Sequence, residues 1–166
     1  MALTTEVARP DLLTLAGGWS NNWLWSLPLI VLTVLAHGFG LIEIREHVVL
    51  RLTSLLGAGR SRGSLALVVA STVLLLTGLH ALEGGAWALA YIVLGASSDP
   101  RVAMLYSLSA MTSYGHANIY LEPDWQLMGA LEALNGMMLF GLTTAFLFSV
   151  LQGGWPSHAR EESLKR

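Results

Sequence analysis

The stretch Ala110–Trp125, AMTSYGHANIYLEPDW, sets hydroxyls, a histidine, an asparagine and a lone glycine between two long apolar segments. Such a run constrains the fold, because non-helical backbone at membrane depth is tolerated only where protein or a wet cavity surrounds it. The chain around it has 166 residues, of which 54% are hydrophobic and 12% charged, and a mean hydropathy of +0.58. Those values lie outside the range of soluble domains and imply an integral membrane protein. The polar ends are short, which leaves no room for a soluble catalytic domain, and no enzymatic activity is expected. Without cysteine there is no disulfide framework, thiolate metal site or thiol nucleophile. A net charge of -2 points to no nucleic-acid partner. The first residues, MALTTEVARPDLLTLAGGW, lack the basic patch, apolar run and cleavage site of a signal peptide and read as mature sequence.

Three segments are apolar enough to cross a bilayer. Leu24–Ile44 is interrupted only by His37 and small polar residues, and Trp19, Trp23 and Trp25 crowd its start as an interfacial belt. Ser64–Ala96 is broken only by His80, Glu83 and Gly84-Gly85. At about 1.5 Å per residue it reaches roughly 45 Å, against a bilayer core of about 30 Å, so it is either one protruding helix or a helix followed by a turn. Leu127–Leu151 carries Glu132 and Asn135 near its start. With three spans, Arg45, Arg51, Arg60, Arg62, Arg160, Lys165 and Arg166 share one side, and only Arg9 and Arg101 lie on the other. The positive-inside rule makes the first side cytoplasmic and puts the N-terminus outside the cell's inner (plasma) membrane. Val48, Val49, Leu52, Leu55 and Leu56 share one face of Glu46–Leu56, which suits a helix lying on the inner membrane surface. Gly57–Gly63 then acts as an elbow. The chain accordingly divides into an N-terminal segment (1–63), a module holding the polar run (64–152) and a cytoplasmic tail (153–166).

The polar run fits a short helix that dips into the membrane and an extended segment that climbs back. Asp99 or Ser98 caps the helix, Pro100 occupies its first turn and apolar residues follow. From about Gly78 to Gln152 the chain resembles the pore module of two-helix potassium channels, and in particular small bacterial members with an additional N-terminal helix. The resemblance rests on HALEGGAWALAYIVLGA, on LYSLSAMT at the pore helix and on DWQLMGALEALNGMMLFGLTTAFLF at the inner helix. The family's Thr-Thr-(Val/Leu)-Gly-Tyr-Gly-Asp filter falls on Thr112, Ser113, Tyr114, Gly115, His116, Ala117 and Asn118.

The resemblance implies an all-α membrane protein with three transmembrane helices, a re-entrant pore helix and filter loop, assembled as a homotetramer in lipid. It implies passive cation transport, with potassium or sodium as permeant ions, no cofactor and no resident metal. Thr112, Ser113, Tyr114, Gly115 and His116 would form the ion-binding filter, supported by Ala117, Asn118, Glu132, His80 and Glu83. Gly136 stands about where the family has its hinge glycine, and Phe146 is a candidate apolar gate. The filter nonetheless diverges from the family. Gly115 keeps one of two glycines, whereas Ala117 replaces the other, and a side chain at positive φ costs roughly 1 kcal/mol or more. His116 replaces a bracing tyrosine and Asn118 an acid, so potassium selectivity is expected to weaken and His116 becomes a candidate pH sensor.

Other readings attach to the same residues. His80 and Glu83 share a helical face, as do Glu132 and Asn135. For the first pair, hydrogen bonding to the pore helix or a neighbouring subunit is expected ahead of a metal site. His37 and His80, one in each of two spans, are also the pair that a small haem-binding redox subunit would use as axial ligands. A non-conducting regulator with a collapsed filter is a further alternative. Glu43–His47, EIREH, has metal-like spacing but reads as a solvated charge face. Thr143, Thr144 and Ser149 are expected to satisfy backbone carbonyls or to wet an inner cavity.

Overall fold

A computed structural model describes residues 12–56, 62–115 and 119–153. Helix α1 (Leu12–Glu43) passes through a π-helical turn, Ile44–Val49, into α2 (Leu50–Leu56). Helices α3 (Arg62–Val93), α4 (Pro100–Met111) and α5 (Gln126–Gly153) follow, with a 3-10 turn, Pro123–Trp125, leading into α5. There is no strand among the described residues. Three helical stretches are long and apolar enough to cross a membrane: Trp19–Leu56, Arg62–Val93 and Pro123–Gln152. The fold is therefore all-α with three candidate spans.

The elements differ from expectation at three places. The first helix begins a dozen residues before Leu24 and keeps Pro28 in its interior. Glu46–Leu56 is helical but continuous with α1 through the π-helical turn. The long second apolar run is one helix to Val93, unbroken at Gly84-Gly85. Two mid-helix glycines each cost about 1 kcal/mol in propensity. At Gly84 packing offsets that cost, because a Cβ there would crowd Leu108 and Met111 at 3.3 Å and Ser107 at 3.4 Å.

Burial is patterned for lipid. Asn22, Ser26, Thr33 and His37 form the buried stripe of α1, while Leu24, Leu27, Val31, Leu32, Leu35 and Phe39 are each at least half exposed. In water such a helix would be inside out. In hydrocarbon, apolar residues gain nothing from leaving the lipid, and polar ones must find partners between helices. Those partners set the register. Asn22 meets Asp124 and Met128, Thr33 meets Asn135, and His37 meets Thr143, so α1 and α5 run parallel. Tyr91 meets Glu132 and His80 meets Thr143, so α3 runs antiparallel to α5.

Two C-terminal caps and one N-terminal cap direct the connection between α3 and α5. At the end of α3, Gly95 takes φ +73°, its N–H bonds Ile92 O, and Ala96 N–H reaches back to Tyr91 O, a Schellman motif. Asp99 Oδ1 then accepts from Arg101 N at 2.7 Å and Pro100 occupies the first turn of α4, as the sequence predicts. At about 1.5 Å per residue α4 spans roughly 18 Å, too short to cross. It leaves the level of Ala96 and ends against Gly136, about 15 Å along α5 from Gln126. The chain then returns until Glu122 N–H bonds Ala96 O at 3.1 Å. The bracket around α4 is apolar and aromatic: Trp87, Tyr91, Ala103, Tyr106 and Met128 pack together, with Tyr91 and Tyr106 edge to face at 5.4 Å.

Candidate functional site

The end of α4 presents the first candidate filter residues. Thr112 is the C-cap, and its hydroxyl donates to Leu108 O at 2.8 Å. Ser113 adopts φ +54°, the positive-φ residue other than glycine among the described residues. Its N–H bonds Ala110 O and Tyr114 N–H bonds Ser109 O, a second Schellman motif with serine where glycine is usual. Gly115 follows at φ +82°. The backbone therefore alternates in hand over Ser113, Tyr114 and Gly115. The N–H groups of Ser113 and Tyr114 are thus taken up by carbonyls of α4. Thr112–Gly115 are exposed, Tyr114 to 86%. His116, Ala117 and Asn118 lie outside the described residues.

Glu132 supports the back of α4. It is fully buried on α5, accepts from Tyr91 Oη on α3 at 2.5 Å, and is hydrogen-bonded to Ser107 Oγ on α4. Ser107 Oγ also lies 2.7 Å from Gly84 O. One carboxyl group thus ties three helices at the waist of α4. Gly136 lies one turn further on. A Cβ there would stand 2.7 Å from the Met111 carbonyl carbon, so the absent side chain lets α5 meet the end of α4 backbone to backbone. Whatever it contributes as a hinge, Gly136 is a packing residue in this structure, and α5 runs unbroken through it.

His80 and Glu83 turn away from α4 and join a second cluster. Glu83 Oε1 lies 2.9 Å from His37 Nδ1, and Glu83 Oε2 lies 3.2 Å from His80 Nδ1. Thr143 Oγ1 sits between the two Nε2 atoms, 3.0 Å from His37 and 3.1 Å from His80. Phe140 stacks on His80 at 4.4 Å. The two imidazoles are 5.1 Å apart, tilted by 34°, with a hydroxyl between their Nε2 atoms. A macrocycle held between axial histidines does not fit that gap. Among the described residues, His37, His80 and Glu83 form the one group of three or more such side chains with metal-ligating geometry. The EIREH residues Glu43 and His47 instead make an exposed ion pair of 3.1 Å. Thr144 and Ser149 donate to the carbonyls of Phe140 and Phe146, and Phe146 is partly buried on α5.

Sequence reasoning missed Asn22, Thr33, Tyr91 and Ser107. Asn22 accepts from Met128 N at 2.7 Å and donates to Asp124 O at 2.6 Å, which fastens α1 to the start of α5. Thr33 accepts from Asn135 Nδ2 at 2.9 Å. The recurrence of polar residues at spacings of four and seven, Asn22, Ser26, Thr33 and His37, is the signal that marks this face.

No protein-family model, curated protein or solved structure matches the chain.

Proposed function

We propose that the chain is one subunit of a passive cation channel, in which four copies bring Thr112–Gly115 around a common axis and discriminate potassium from sodium weakly. The observation that carries this reading is the alternating-hand backbone at Ser113–Gly115, held at the end of a short helix between two candidate spans. Stacked carbonyls facing an axis replace the hydration shell of a permeant ion, and the C-terminal end of α4 adds a dipole that favours a cation. Exposure of Tyr114 and Tyr120 on the single chain suits surfaces that neighbouring copies cover.

In this reading α4 and the returning segment are a re-entrant pore loop. The innermost ligands are the carbonyls and hydroxyls of Thr112 and Ser113, and His116, Ala117 and Asn118 depart from the sequence of a regular potassium filter. Support comes from Glu132 and Ser107 behind α4. The outer faces of α1 and α3 meet lipid, the N-terminus lies outside and the C-terminus in the cytoplasm. Potassium or sodium crosses without covalent chemistry.

Gly115→Ala tests the reading, because an alanine at φ +82° is strained by about 1–2 kcal/mol and turns the carbonyl geometry. The variant should keep the oligomeric mass of the wild type and lose cation flux in liposomes. Undiminished flux would remove Gly115 from the conduction path.

A further inference from the structure

We infer that His37, His80 and Glu83 form a binding site for a divalent transition-metal ion of the zinc class, buried between α1, α3 and α5. Two imidazoles and a carboxylate are a donor set that suits zinc and its neighbours and suits magnesium or calcium poorly. One donor atom from each residue lies within 4.8 Å of the others. His37 Nδ1 lies 2.9 Å from Glu83 Oε1 and His80 Nδ1 3.2 Å from Glu83 Oε2, so each imidazole faces one oxygen of the carboxylate near the roughly 3.3 Å that separates ligand atoms on metal bonds of about 2.0–2.1 Å.

The hydrogen bonds around Thr143 point the same way. Thr143 carries one hydroxyl proton. If it donates to His37 Nε2 it accepts from His80 Nε2–H, and His80 Nδ1 is then a bare lone pair facing Glu83 Oε2. If it donates to His80 Nε2, His37 Nδ1 is the bare lone pair and faces Glu83 Oε1. Either direction sets a neutral imidazole's lone pair against a carboxylate oxygen unless a metal ion or an added proton lies between them. His80 Nδ1 and Glu83 Oε2 are buried atoms without a directed hydrogen bond, although they stand only 3.2 Å apart. A metal ion removes the conflict. Both Nδ1 atoms then ligate it, both Nε2–H groups donate to Thr143 Oγ1, and the hydroxyl serves as the outer partner that fixes each ring. Glu83, itself only 4% exposed, offsets part of the ion's charge. The site is separate from Thr112–Gly115 and does not depend on the channel reading.

The test uses full-length, tag-free protein in nanodiscs, stripped with chelator and titrated with cobalt(II), with zinc as competitor and elemental analysis for stoichiometry. The expected result is one ion per chain, with the intense visible bands of four-coordinate cobalt bleached by zinc. H80Q and E83Q should each weaken binding by more than the roughly 10–100-fold typical of losing an outer partner, and Thr143→Val by about that amount. H47Q, on the exposed pair, should leave it unchanged. Absence of saturable binding, a six-coordinate spectrum, or affinity unaltered in H80Q and E83Q would overturn the inference and leave a hydrogen-bond network that holds a proton. Stoichiometry and spectrum of the wild type decide the question even if a variant fails to fold.

Discussion

Met111 and Gly136 touch backbone to backbone: a Cβ on Gly136 would stand 2.7 Å from the Met111 Cα and carbonyl carbon. This contact fixes how deep α4 reaches along α5. In an isolated helix, Gly→Ala stabilises by about 1 kcal/mol. Against a neighbouring backbone the added methyl instead forces a shift that costs about 1–3 kcal/mol. Gly136→Ala should therefore lower the thermal midpoint of the purified protein and displace α4. A raised midpoint would mean that the glycine is not a contact.

Glu132 predicts a sharp contrast between two substitutions. Glu132→Ala takes the acceptor from the buried Tyr91 hydroxyl, while Ser107 keeps Gly84 O, and should cost about 1–3 kcal/mol for the group left unsatisfied. Glu132→Gln can accept from Tyr91 and donate to Ser107, which then donates to Gly84 O. Thermal unfolding in detergent should place the glutamine variant near the wild type and the alanine variant well below it.

Asn22 fastens α1 to α5 through two hydrogen bonds. Asn22→Ala loses both and leaves Met128 N–H without its acceptor, a loss of about 1–3 kcal/mol. Asn22→Asp keeps an acceptor near the start of α5, where a negative charge is favoured, and should recover part of that loss. Equal midpoints for the two variants would contradict the role of Asn22 as a cap supplied from another helix.

At Ser113 the sign of the change follows the backbone. Glycine at φ +54° removes side-chain strain, so Ser113→Gly should be neutral or stabilising by up to about 1 kcal/mol. Ser113→Val places a β-branched residue where it is a steric outlier and should destabilise the end of α4 by roughly 1–2 kcal/mol. Hydrogen exchange at Tyr114 N–H, which bonds Ser109 O, reads that end directly.

The three apolar runs, the Asp99-Pro100 start of α4 and its end near Thr112 were legible in the sequence because each is local: run length, a capping side chain, a change in polarity. Glu132 also stood out, since a carboxyl inside an apolar helix needs a partner. Which residues answered it was not legible. Tyr91 and Ser107 are far away in the chain, and helical periodicity says which residues share a face without saying what that face meets. His37 and Glu83 likewise come together across 46 positions through the crossing of α1 and α3, so His80 and Glu83 read as neighbours of the pore helix when their partners lie on α1 and α5. Gly136 read as a hinge from its place in the family resemblance alone, and its contact with the Met111 backbone was not legible because Met111 lies on another element.

Cation permeation with weakened selectivity is read from the bi-ionic reversal potential of the purified protein in liposomes, with potassium inside and sodium outside. A weakly selective pore gives a protein-dependent current whose reversal potential lies between the potassium equilibrium potential and zero, and a shift toward the potassium value in Ala117→Gly. A reversal potential at the potassium limit in the unaltered protein would contradict the weakened filter, and no current across pH and calcium would contradict the channel itself.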